Sequence, residues 1–93
     1  MSEQHILYHV TTPKKAKLYR ATGHICKPVR GFTTLQGAMA WAIKTQRTVI
    51  YRFEGHVCYK LPDHHNQWGD AWWCDEDVEV ARLQCVFSAD NDA

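Results

Sequence analysis

No helical period separates the apolar segments that follow residue 47 of this 93-residue chain, whereas two helical segments crowd its first half. A doubly wound parallel sheet needs a crossover helix between successive strands, so that architecture is disfavoured. The pattern predicts an α+β fold: a small, mostly antiparallel, split sheet of five or six strands with two helices. Ninety-three residues make a single domain. Its ordered core is expected over about 5–88, with a polar tail, 89–93, that frays.

Ile6–Val10 is a short apolar strand. Thr12 caps a short basic helix over Lys14–Ala21, with Pro13 at the first helical position and Thr22-Gly23 as its stop. Ala16, Leu18 and Tyr19 are its inward candidates. His24–Val29 is extended, with Pro28 confining it to a margin. Thr33 with Gln36 fits a capping box ahead of a second helix, Leu35–Thr45. Leu35, Ala38, Met39, Ala42 and Ile43 form that helix's apolar stripe, and Trp41 lies off it. Gly37 weakens the helix by about 1 kcal/mol, a cost accepted where backbones approach closely.

Thr48–Glu54 alternates cleanly, Val49, Tyr51 and Phe53 facing one way and Ile50 and Arg52 the other. Glu54-Gly55 then reads as the turn of a hairpin whose second strand is Val57–Leu61. Pro62–Gly69 is polar and turn-rich, long enough for a functional loop. Strands over Ala71–Cys74 and Val80–Phe87 complete the set. Trp72 and Trp73 point to opposite faces, one expected in the core and one exposed.

Composition and charge narrow the function classes. A hydrophobic fraction of 45% with 23% charged residues excludes disorder, collagen and coiled coil as global descriptions. Met-Ser-Glu-Gln-His at the start lacks a basic region followed by an apolar one. A secretory signal is therefore not expected, and a cytoplasmic location without membrane contact is. Residues 1–60 hold ten Lys or Arg against Glu3 and Glu54, net +8; residues 61–93 hold eight carboxylates against Arg82, net −7. The positive part suits a phosphate-bearing ligand, and the two parts also suit each other within the fold.

Cys26, Cys58, Cys74 and Cys85 are spaced singly, without a C-x-x-C pair. They read as small buried hydrophobes rather than as a zinc site, and no metal is expected. His56 with Cys58, and the doublet His64-His65, are the nearest approach to ligand pairs.

Three elements occur in order: Tyr8-His9-Val10-Thr11, then Phe32-Thr33-Thr34 leading into an Ala-rich helix, then Gly69-Asp70-Ala71-Trp72-Trp73. In this order the chain resembles the ADP-ribosyltransferase-like superfamily, which includes poly(ADP-ribose) polymerases and RNA 2′-phosphotransferases. It departs from the usual pattern at Val10, where the family has Gly, and at Asp70, where it has Glu. The resemblance implies NAD as the cofactor, with His9 donating to a ribose hydroxyl and Val10 and Thr11 at the nicotinamide. Phe32 would stack on the ring beside Thr33, and Asp70 would stabilise charge at the anomeric carbon. Arg20, Lys27 or Arg30 would pair with pyrophosphate, or with the phosphate of an RNA end. Catalytic roles therefore fall to His9 and Asp70. The alternative is a non-catalytic protein- or nucleic-acid-interaction module, with Trp68, Trp72 and Lys14–Arg20 as its surface.

Overall fold

The computed structural model describes residues 4–56 and 58–89, with the backbone alone at 58 and 62–66. Cys58 and the His64-His65 doublet therefore lie outside the described side chains. The described chain runs β1 (His5–Thr11), α1 (Pro13–Thr22), β2 (His24–Ile25), β3 (Val29–Phe32), α2 (Leu35–Thr45), β4 (Val49–Gly55), β5 (Cys58–Asn66), β6 (Gly69–Cys74), β7 (Val78–Glu79) and β8 (Gln84–Ser88). A single 3-10 turn, Val80–Arg82, joins β7 to β8. Six strands form one antiparallel sheet in the order β5-β6-β3-β1-β4-β8, and β2 pairs with β7 as a separate ribbon. The fold is α+β, as the missing late helices require.

Strand alternation gives the sheet two buried faces. Val10, Phe32, Ile50 and Ala71 meet Ala38 and Ala42 of α2 on one face. Leu7, Val29, Phe53 and Cys74 meet Ile25 and Val78 of the β2–β7 ribbon on the other, where Tyr19 of α1 joins them. Leu7, Ile50 and Phe53 are at most 1% exposed, and burying each contributes about 1.5–3 kcal/mol. Among the described residues no helix is long and apolar enough to cross a membrane.

Several local expectations are corrected. β4 does not pair with β5: it lies between β1 and β8, while β5 is an edge strand on β6. The supposed hairpin at Glu54-Gly55 is therefore a crossing to the far edge. Pro62–Gly69 is not a loop, because β5 continues through Asn66 and turns directly into β6. Val80–Phe87 is broken by the 3-10 turn. On α2, Leu35 is 37% and Ile43 75% exposed, while Gly37, Ala38 and Ala42 are buried. The buried face is rotated toward the small residues because α2 sits close to the sheet. A Cβ on Gly37 would lie 3.3 Å from the Gly69 Cα, the close approach expected of that glycine. On α1 Ala16 is buried, but Leu18 is 57% exposed.

Thr34, not Thr33, caps α2: its Oγ1 accepts from Gly37 N–H at 3.0 Å and donates to the Trp68 carbonyl at 2.5 Å. Trp73 packs with the α2-side core and Trp72 with the other, so they take opposite faces and both are half-buried. The cysteines are not uniformly buried thiols. Cys26 and Cys85 are exposed, whereas Cys74 is fully buried and disulfide-bonded, with Cys58 opposite it in the β5–β6 register.

Candidate functional site

β1 and β3 are the central neighbours of the sheet, yet they register at one pair, Tyr8↔Phe32. Beyond it, a side chain supplies the link: the His9 imidazole Nδ1 lies 2.6 Å from the Arg30 carbonyl. A cavity of about 590 Å³ lies beside this pairing. Its walls come from both faces. His9, Thr11, Tyr19 and Ile25 belong to the α1 side, and Val10, Phe32, Trp41, Leu61 and Ala71 to the α2 side.

A carbonyl only accepts, so His9 Nδ1 carries the proton of that bond. Nε2 is then the acceptor of the neutral ring, and the Tyr19 hydroxyl donates to it across 3.2 Å. Thr11 Oγ1, 3.3 Å from the same phenol oxygen, completes a directed chain from Thr11 through Tyr19 and His9 to Arg30. Burial pushes the His9 imidazole below its usual value of 6.5. The Arg30 carbonyl opposes that shift, while the charges of Lys15 and Arg47 reinforce it. His9 is accordingly neutral at pH 7, with an acceptor rather than a donor at Nε2.

Those two cations and a third, Arg30, define the electrostatics of the hollow. Lys15, Arg30 and Arg47 line it together with His9 and His24, and no carboxylate is among the described lining residues. Helix geometry places Lys15 and Arg47. Lys15, Leu18, Tyr19 and Thr22 share one face of α1 at i, i+3, i+4 and i+7. Gln46 closes α2 in the left-handed region (φ 59°), and the chain reversal brings Arg47 N–H back to the Ala42 carbonyl at 2.9 Å. Aromatic surface comes from Tyr8, Tyr19, Phe32 and Trp41, the last two with ring centroids 5.7 Å apart. Among the lining residues, Cys26 Sγ lies 3.6 Å from His24 Nε2.

Of the residues singled out from sequence, His9, Val10, Thr11, Arg30 and Phe32 share this cavity. Arg20, Thr33 and Asp70 are not among its lining residues. Arg20 reaches the Tyr51 hydroxyl at 3.5 Å. Thr33 Oγ1 accepts from the Asp70 N–H at 3.3 Å, and the Asp70 carboxylate pairs with Lys60 Nζ at 3.5 Å. Lys27 is exposed and bonded through its backbone N–H to Asp77. Val10 is 7% exposed and packs with Phe32 and Ile50, opposite Ile50 in register.

Sequence reasoning gave Arg47, His24 and Cys26 no site role, read Tyr19 only as an inward residue of the first helix, and placed Lys15 only within the Lys14–Arg20 surface. The α1 face was readable from its spacing once Lys15 was counted with Tyr19; Arg47 had no local signal. Among the described residues no group of three His, Cys, Asp or Glu is arranged to hold a metal ion. Compared with protein-family models, curated proteins and solved structures, the chain matches none.

Proposed function

We propose that the cavity binds a phosphorylated nucleotide and that the chain is an ADP-ribosyltransferase-like nucleotide-binding domain. One observation carries this reading: three cations and four aromatic side chains line a hollow to which no described carboxylate contributes. Phosphate oxygens suit Arg30 and Arg47 through paired donors and Lys15 as a point charge. The ring faces of Tyr8, Phe32 and Trp41 suit a flat base or nicotinamide. The cavity's volume, about 590 Å³, falls within the usual range for small-molecule sites.

NAD fits this set of residues in charge and in aromatic surface, as does a phosphorylated RNA end. His9 enters as an acceptor: a ribose hydroxyl that displaces the Tyr19 phenol would donate to Nε2. The resemblance had His9 donating instead, which the bond to the Arg30 carbonyl reserves to Nδ1. Asp70 is engaged by Lys60 outside the cavity lining. The reading is thus one of binding, with transfer chemistry left to whatever acceptor the complex brings.

Trp41 in the cavity wall reports occupancy. Titrating the protein with NAD and with 2′-phosphorylated RNA, followed by tryptophan fluorescence, is expected to give a saturable change for at least one of them. Arg47→Gln should weaken it about tenfold, the loss of one charge-assisted contact. No saturable change with either ligand, or equal binding of unphosphorylated adenosine, overturns the reading.

A further inference from the structure

We propose that Cys26 is a thiol-exchange site, taking a mixed disulfide from a small disulfide that carries carboxylates, of the glutathione class. The inference goes beyond the nucleotide reading and stands without it. Cys26 is exposed and holds a free thiol, and its Sγ lies 3.6 Å from His24 Nε2. Extended backbone produces that pairing. Ile25, between the two residues, is buried, which turns His24 and Cys26 to the same side of the chain. Both line the cavity, together with Lys15, Arg30 and Arg47.

A thiolate is the form that attacks a disulfide, and an imidazole within hydrogen-bond reach of the thiol takes its proton. Exchange then runs as one displacement. Cys26 Sγ forms a bond to one sulfur of the small disulfide, the disulfide's own S–S bond breaks, and the leaving thiolate takes the proton from His24. One small thiol is released, the incoming disulfide is the oxidant, and a second small thiol reverses the step. The walls select the charge of the reagent. Three cations and, among the described residues, no carboxylate line the cavity. Carboxylates on the reagent are therefore held by Arg30, Arg47 or Lys15, and ammonium groups are repelled. Cys85 supplies the contrast within the same chain. It too is an exposed free thiol, but it lies on edge strand β8 outside the cavity lining, where its Sγ donates to the Phe87 carbonyl at 3.6 Å.

The test incubates the protein with oxidised glutathione or with cystamine, a disulfide bearing amines in place of carboxylates. Peptide mass spectrometry reads the rate of mixed-disulfide formation at each cysteine. Dividing the Cys26 rate by the Cys85 rate in the same sample cancels the intrinsic reactivity of each reagent. With oxidised glutathione the ratio is expected to be about ten or more, and with cystamine to fall toward one. His24→Gln should lower the ratio with both reagents by a similar factor. Arg47→Gln should lower it about fivefold with oxidised glutathione and leave it unchanged with cystamine. A circular dichroism melt verifies the fold of each variant, and the comparison of reagents needs no variant. A ratio near one with oxidised glutathione, a ratio as high with cystamine, or no effect of a folded His24→Gln protein overturns this proposal. Each of those outcomes leaves the nucleotide reading standing, since the titration with NAD and RNA decides that reading separately.

Discussion

Acidification should destabilise this domain through His9, and the sign follows from the direction of its shift. In the unfolded chain the imidazole takes a proton near 6.5; in the fold, burial and the charges of Lys15 and Arg47 hold its value lower. Between those two values the unfolded state binds more protons than the folded one. Stability contributed by the neutral ring is therefore complete above pH 6.5 and is lost as pH falls toward the folded value. The slope cannot exceed about 1.4 kcal/mol per pH unit for one proton, and it levels off below the folded value. The chain has six histidines, so the informative quantity is a difference between proteins. Urea denaturation followed by tryptophan fluorescence, on the parent and on His9→Gln at intervals from about pH 7.5 to about pH 5.5, isolates it. The parent should lose stability faster than the variant below pH 6.5. Parallel pH profiles would refute the lowering of the His9 value by the fold. Phosphate ligands should oppose the part of the effect that comes from Lys15 and Arg47, burial being the larger cause, because an anion offsets their repulsion of a proton on His9.

Other consequences are equally direct. Gly31→Ala places a Cβ 2.7 Å from Leu7 Cβ and 3.2 Å from the Tyr8 nitrogen, neither of which can swing aside. Overpacking of that kind costs about 1–3 kcal/mol, and an unchanged melting temperature would contradict it. Thr34→Ala should cost about 1–2 kcal/mol by removing the α2 cap, and Thr33→Ala less, since Thr33 is exposed and accepts one 3.3 Å bond. The reverse order in chemical denaturation would return the cap to Thr33. Alkylation by N-ethylmaleimide, mapped by mass spectrometry, should be slowed at Cys26 but not at Cys85 when a nucleotide fills the cavity. Equal rates at both exposed thiols would place the ligand elsewhere.

What the sequence determined by itself was local. The Thr12-Pro13 start and Gly23 stop of α1, with Gly23 at φ 88°, follow from capping chemistry that acts over a single turn. The bounds of α2 and the alternation of β4 follow from periodicity. The α+β class follows from where the helical period ends. His9 and Phe32 could be named because each sits in a short ordered motif, and Arg30 only as one of three candidate cations; the direction of the His9 hydrogen bonds could not be read.

Tertiary structure decided what depends on contacts between distant segments. Strand order is such a property: residues 54–61 carry a good hairpin signal, yet β4 is satisfied by β1 and β8, and β5 crosses to the opposite edge. The cap of α2 passed from Thr33 to Thr34 because the Trp68 carbonyl and Gly69, more than thirty residues later, pack against that one hydroxyl. The cavity's cations come from α1, β3 and the turn after α2, and only the folded chain brings them to one place. Periodicity within a segment reports which face is apolar; it carries no information about which other segment covers that face.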